Sequence, residues 1–227
     1  MKSTGSCSIM VSVVIFDFDG LVFDSETYDL QSFEHLYQTY DLSFLKEQWT
    51  ESIGSTLSFD PYAKLLETKA KLSREKVRNE RQELYLAFLN DSSPREGVED
   101  YILHAKSEGI HVALASSSTR SWIDHHLKQL GMEESFDYLC TADDVEEVKP
   151  SPELYVNVLE HFSVLPEEAL VFEDSPNGSL AAIRAGIPCV VIPNETTKDL
   201  IFDERIALRL ETMGEFRLSE LLKFLKE

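Results

Sequence analysis

A short apolar run that ends in two aspartates is the feature that most constrains how this chain can fold. Val11–Phe16 is mostly β-branched and aromatic and carries no charge, which is typical of a strand buried on both faces of a parallel sheet. Asp17-Phe18-Asp19-Gly20 follows directly. Because side chains alternate along a strand, Asp17 and Asp19 would point the same way. The pair favours a hard cation with oxygen ligands, although a solvated turn uses the same residue types.

The chain from Gly97 onward alternates helical and strand patterns, which predicts an α/β fold with a doubly wound parallel sheet. Further strands are predicted at Ile110–Ala115, Tyr138–Thr141, Ala169–Phe172 and Ile187–Ile192. Ligands of such sheets bind beyond the carboxyl ends of the strands. The polar residues at or just after these ends are Asp17, Ser116, Lys149 and Asp174.

The segment between the first strand and Pro94 keeps a helical period instead. Ser25 is a candidate N-cap, and further helices are expected to open at Asp60-Pro61 and near Ser73. We therefore expect a core domain of residues 11–23 and 94–227, an all-helical insertion of residues 24–93, and a flexible N-terminal extension of residues 1–10. Residues 198–227 are expected to close the sheet as helix, strand and helix.

These motifs together resemble the haloacid dehalogenase superfamily, in the branch similar to phosphoglycolate phosphatase and β-phosphoglucomutase. The matching motifs, in the family's order, are Asp17–Glu26 (DFDGLVFDSE), Ala113–Ser116 (ALAS), Lys149-Pro150 and Val171–Asp174 (VFED). The resemblance covers nearly the whole chain from Val11 onward. It implies a Rossmann-like core, and it makes the helical insertion a cap domain over the active site.

The resemblance also implies catalytic roles for the first two aspartates. Asp17 would be the nucleophile that forms an aspartyl-phosphate, and Asp19 would be the general acid and base. Mg²⁺ would bind the carboxylates of Asp17 and Asp174 and the backbone carbonyl of Asp19. Glu173 is a further candidate ligand, directly or through water.

The resemblance also implies that Ser116, Ser117 and Lys149 bind the phosphoryl group. The serines would hold phosphoryl oxygens at the start of the next helix, where amide groups and the helix dipole favour anions. Lys149 would add a fixed positive charge and orient Asp17. Taken singly, Ser116 is equally a helix cap and Lys149 a solvated lysine, but their order and their placement favour the functional interpretation.

The sequence thus predicts a Mg²⁺-dependent phosphatase that hydrolyses a small-metabolite phosphomonoester, such as a sugar phosphate or a phosphoglycolate-like acid. Asp19 favours phosphoryl transfer over carbon–halogen cleavage, since a leaving halide needs no proton. The alternative is a β-phosphoglucomutase-type isomerase. However, Gly54–Leu57 ends in leucine where that enzyme has arginine, and Asp29 stands where it has histidine. A non-catalytic binding protein is a remote alternative.

Composition narrows the partners. The chain has 21 basic and 41 acidic residues and a net charge of −20, which argues against nucleic acids and anionic membranes, since both attract positive charge. No run reaches membrane-spanning length. The cysteines Cys7, Cys140 and Cys189 form no metal motif. We expect a cytoplasmic monomer whose partner is a small phosphorylated metabolite.

Overall fold

The computed structural model of this chain describes residues 11–46, 48–49, 59–90 and 93–226. Residues 54–57, which were compared with the mutase above, lie outside these ranges, and so does the predicted N-terminal extension of residues 1–10. The centre is a six-stranded parallel sheet with the order β3-β2-β1-β4-β5-β6. Its strands are β1 (Val13–Phe16), β2 (His111–Ala115), β3 (Tyr138–Cys140), β4 (Ala169–Glu173), β5 (Cys189–Val191) and β6 (Leu208–Arg209). The predicted α/β class is confirmed, and β1 lies in the middle of the sheet.

The helices of the described residues are α1 (Ser25–Thr39), α2 (Ala63–Thr68), α3 (Arg74–Asn90), α4 (Val98–Ser107), α5 (Arg120–Leu130), α6 (Glu153–Phe162), α7 (Pro176–Arg184) and α8 (Leu218–Phe224). Helices α4 to α8 cover the two faces of the sheet. Val14 and Phe16 of β1 pack in one buried cluster with α4, α5 and α8. Val13 and Ile15 pack in the other with α6 and α7. Because successive side chains of β1 pack on opposite faces of the sheet, the position of its end and the direction of Asp17 are fixed.

The helices between β1 and α4 have an apolar cluster of their own. Phe33, Leu36 and Tyr37 of α1 meet Leu65 of α2 and Val77 of α3. The sequence placed the N-cap of α1 on Ser25, but the cap is Asp24, whose Oδ1 accepts from the Thr27 amide at 3.2 Å. The Ser25 hydroxyl is instead engaged at the site described below.

The end of the chain departs from the expected helix, strand and helix. Residues 195–206 form turns and irregular backbone before β6. Asn194 explains this, because its Oδ1 accepts from the amides of Thr196 (2.8 Å) and Thr197 (3.1 Å), and such local side-chain hydrogen bonds compete with a helix. Within the described ranges, no helix has the length and apolar character needed to cross a membrane.

Candidate active site

Asp17 and Lys149 form a buried ion pair at the carboxyl end of β1. Lys149 comes from the loop before α6, and its ammonium group also donates to Glu173 Oε1 and to the Ala115 carbonyl, each at 2.7 Å. Burial alone would lower the pKa of Lys149, but the carboxylates of Asp17 and Glu173 outweigh that effect and raise it. Lys149 therefore carries a positive charge that is fixed in place beside the proposed nucleophile.

Glu173, the last residue of β4, is the second ion-pair partner of Lys149. Its Oε1 accepts from Lys149 and from the Tyr155 hydroxyl at 2.7 Å. Its Oε2 accepts from the Asp174 amide (3.1 Å) and from the amide (3.2 Å) and hydroxyl (3.1 Å) of Ser175. Both oxygens are occupied by protein donors, so Glu173 acts here as the support of Lys149 and of the turn after β4.

Asp174 reaches the same place from the turn after β4. Its Oδ2 accepts from Asn194 Nδ2 at 2.8 Å, and it approaches Gly20 so closely that a Cβ there would overlap the carboxylate. Gly20 also has φ +87°, a conformation that glycine adopts without cost. Burial, and then the charges of Glu26, Asp17 and Glu173, raise the pKa of Asp174 well above its usual range.

The donor set fits a hard divalent cation. Carboxylate oxygens of Asp17, Glu173 and Asp174 lie within 4.8 Å of one another, and all three residues are buried. Burial raises the pKa of Asp17 even though Lys149 opposes it, and Lys149 pairs with Asp17 and Glu173 but not with Asp174. Such a group of carboxylates suits Mg²⁺, which prefers oxygen ligands. Because Glu173 is already saturated, the carboxylates free to bind the ion are those of Asp17 and Asp174.

Asp19 lies in the wall of a neighbouring cavity. Its Oδ1 accepts from the Ser25 hydroxyl (2.6 Å) and the Trp122 indole (2.9 Å), and its Oδ2 from the Ser118 hydroxyl (2.6 Å). None of these three hydrogen bonds to Asp19 was predicted from the sequence. No signal in the sequence near Trp122 shows that its ring nitrogen turns toward Asp19.

The predicted phosphate-binding serines occupy a loop after β2. Ser116 is buried and its Oγ accepts from the Ser118 amide at 3.0 Å, whereas Ser117 is exposed. The next helix does not begin here, because α5 starts at Arg120 with Thr119 as its N-cap. The structure thus brings Asp17, Lys149 and Asp174 together at the strand ends and places Ser116 and Asp19 on neighbouring loops. The arrangement offers a buried carboxylate, a fixed cation and a second carboxylic acid, which suits phosphoryl transfer.

Comparison with known proteins agrees with this chemistry. The model of the haloacid dehalogenase-like hydrolase family matches residues 14–192. The chain belongs to this family. Membership confirms the resemblance drawn from the motifs and identifies the chain as a hydrolase-family enzyme.

Several members of the haloacid dehalogenase-like family are similar along most of their length. YhcW of Bacillus subtilis, which is named as a phosphatase, is 41% identical over 95% of this chain and 98% of its own. A protein of Thermotoga maritima named phosphorylated carbohydrates phosphatase is 30% identical over 78% of this chain and 82% of its own. A variant of CbbY from Rhodobacter sphaeroides, crystallised with xylulose-1,5-bisphosphate, is 27% identical with a TM-score of 0.70, covering 93% of this chain and 99% of that one.

Proposed function

We propose that this enzyme is a Mg²⁺-dependent phosphatase that hydrolyses a small phosphorylated metabolite, such as a sugar phosphate, through an aspartyl-phosphate on Asp17. The buried Asp17–Lys149 pair, beside an Asp19 fixed by three hydrogen bonds, carries this proposal. The names of the B. subtilis and T. maritima relatives support it, since both are phosphatases by name.

In the first step the Asp17 carboxylate attacks phosphorus, the phosphorus–oxygen bond to the alcohol breaks, and Asp19 gives its proton to the leaving oxygen. In the second step Asp19 takes a proton from water as that water attacks the acyl phosphate. The phosphate leaves, and Asp17 and Asp19 return to their starting forms. Lys149 stays charged and keeps the Asp17 carboxylate in place throughout.

Residues of the core would bind the phosphoryl group and the metal. Ser116 and Ser117 with their amides, together with Lys149, would hold the phosphoryl oxygens. Asp17, Asp174 and the Asp19 backbone carbonyl would hold Mg²⁺, which when bound neutralises phosphoryl charge. Because three buried acids lie close together here and one lysine pairs with only two of them, the site has the negative charge that such an ion would offset.

The helical insertion of residues 24–93 would act as a cap domain on a core of residues 11–23 and 94–227. The position of Ser25, Glu26, Asp29 and Tyr85 in the wall of the Asp19 cavity supports this assignment. We further propose that the enzyme works as a cytoplasmic monomer without nucleic-acid or membrane partners, in keeping with its net charge of −20.

Two alternatives remain weaker. A mutase must grip the second phosphate of a bisphosphate, but Asp29 adds negative charge where the mutase has histidine, and it is already paired with Arg81. A non-catalytic binding protein would not need the pairing of Asp17 with Lys149 or the three donors on Asp19.

Phosphate release from a panel of phosphorylated metabolites with Mg²⁺ tests the proposal. We expect turnover of one or a few small esters, loss of activity with a chelator, and no turnover by Asp17→Asn, whose fold is checked by circular dichroism. β-Glucose 1-phosphate is followed for glucose 6-phosphate. Isomerisation without phosphate release would establish the mutase instead, and near-normal activity of Asp17→Asn would refute the nucleophile assignment.

A further inference from the structure

A cavity of about 300 Å³ has Asp19 in its wall, and its volume is at the lower end of the size range of ligand pockets. Its described lining consists of Asp19, Ser25, Glu26, Asp29, Trp49, Tyr85, Ser118 and Trp122. Since Asp19 is the proposed proton donor to the leaving oxygen, the alcohol part of the substrate must occupy this cavity. The cavity wall therefore decides which alcohol the enzyme accepts.

The charged side chains in the described part of this wall are all acidic. They are Glu26, Asp29 and the proposed proton donor Asp19, and no lysine or arginine is among them. Arg81 stands behind the wall, where it forms an ion pair with Asp29. Its Nε donates to Ser32 Oγ at 3.0 Å, and its guanidinium carbon lies 4.8 Å from the Phe33 ring centroid and 4.6 Å from that of Tyr85. Arg81 is thus committed to fixing Asp29 in place.

Glu26 is held by two residues that follow β5. Its Oε2 accepts from Thr196 Oγ1 at 3.0 Å and from Asn194 Nδ2 at 3.4 Å. Both hydrogen bonds use the same oxygen, so the other oxygen is left to accept from a ligand. Ionised carboxylates only accept hydrogen bonds, and the flat rings of Trp49, Tyr85 and Trp122 add apolar contact. Hydroxyl groups on a carbon skeleton match both kinds of surface.

We propose that this cavity selects an uncharged polyhydroxylated leaving group, as in a sugar or polyol monophosphate, and that Asp29 excludes a leaving group with a second anionic group. The inference rests on the proposed phosphatase function and deepens it. It separates this chain from CbbY, whose crystal structure holds a bisphosphate. It also disfavours the carboxylate of a phosphoglycolate-like acid.

A matched pair of ligands tests this selectivity. Sorbitol 6-phosphate and 6-phosphogluconate share an open six-carbon skeleton, but the second carries a carboxylate where the first has a hydroxymethyl group. Each is measured as a competitor of p-nitrophenyl phosphate hydrolysis. We expect the wild-type inhibition constant to be at least about tenfold lower for sorbitol 6-phosphate, because a like charge in the cavity is repelled. Asp29→Asn should shrink this ratio at least about threefold, by tighter binding of 6-phosphogluconate.

Two further variants keep the test decisive. Glu34→Gln removes an acid from the same helix outside the cavity wall and should leave the ratio unchanged. If Asp29→Asn fails to fold because Arg81 loses its partner, Asp29→Asn/Arg81→Gln removes both charges and should still shrink the ratio. The selectivity inference would be overturned if the wild type bound the two competitors equally or preferred 6-phosphogluconate, or if a folded Asp29 variant left the ratio unchanged. Either result would leave the phosphatase proposal standing. Absence of phosphate release from p-nitrophenyl phosphate and from every ester of the metabolite panel would overturn the phosphatase proposal itself.

Discussion

Replacing Lys149 with methionine tests the electrostatic centre of the site. Within the described ranges, Lys149 is the cation that forms ion pairs with Asp17 and Glu173, and its side chain is only 6% exposed. Methionine keeps the length of the side chain and removes the charge, so the two buried carboxylates are left without this partner. Removing one member of a buried ion pair costs about 3–5 kcal/mol, a large part of a typical unfolding free energy of about 5–15 kcal/mol.

The matched control is Lys198→Met. Lys198 pairs with Glu195 at 2.8 Å, but its side chain is 47% exposed, and exposed pairs contribute about 1 kcal/mol or less. Urea unfolding of both variants and the wild type, at neutral pH with a chelator, gives the two losses of free energy, and thermal unfolding under the same conditions gives the midpoints. We expect a thermal midpoint lowered by roughly 6–20 °C for Lys149→Met, using about 2–4 °C per kcal/mol for a chain of this size.

A double-mutant cycle identifies the origin of the loss. If Lys149 stabilises the fold by compensating Asp17, then Asp17→Asn should cost less in the Lys149→Met background than in the wild type, with a coupling of about 1–3 kcal/mol. A loss for Lys149→Met no larger than that of Lys198→Met, or additive effects of the two substitutions, would show that the fold does not depend on this charge compensation.

Three other substitutions test separate parts of the site and its surroundings. Asp19→Asn should slow phosphate release from an alkyl ester about 10²–10⁴-fold but affect p-nitrophenyl phosphate much less, because that leaving group needs little protonation; equal losses would argue against the acid role. Gly178→Ala should destabilise the fold by about 1–3 kcal/mol and reduce turnover, because a Cβ there overlaps the Glu173 carboxylate; wild-type urea midpoint and activity would contradict this. His126 stacks on Phe23 and meets Trp122 edge to face, and burial lowers its pKa from the ordinary value of 6.5, with His125 and Asp19 as its charged neighbours. As the pH falls through that value the unfolded chain binds a proton at His126 more readily than the folded chain, so wild-type stability should drop there; an equal drop in a His126→Phe variant would show that His126 is not its cause.

The central sheet was predictable because its signals are local. The apolar run before Asp17 and the alternation of helix and strand after Gly97 each follow from residue type and period. Strand ends were less predictable, and β5 is shorter than the apolar run Ile187–Ile192 that predicted it. Such runs continue past the last paired residue, because burial, not pairing, selects apolar side chains.

The site was predictable where one residue type at one strand end implies a role, and not where the role depends on a partner far along the chain. Ser118 and Trp122 are separated from Asp19 by 99 and 103 positions, and nothing near them in sequence indicates which way they point. Ser25 has the residue type of an N-cap, yet Asp24 takes that place and frees the Ser25 hydroxyl for Asp19. Competition between two adjacent caps is decided by the tertiary contact.

Glu173 shows the same limit more sharply. From sequence, an acid beside Asp174 after a buried strand is as good a metal ligand as its neighbour. The structure separates the two by their hydrogen bonds, since Glu173 accepts five from protein donors, whereas Asp174 Oδ2 accepts one, from Asn194. A carboxylate offers about four lone-pair sites, so a saturated Glu173 would have to give up Lys149 in order to bind an ion directly. Because Lys149 also holds Asp17, that exchange would release the proposed nucleophile, and the acid that supports the lysine is therefore poorly suited to be a direct metal ligand.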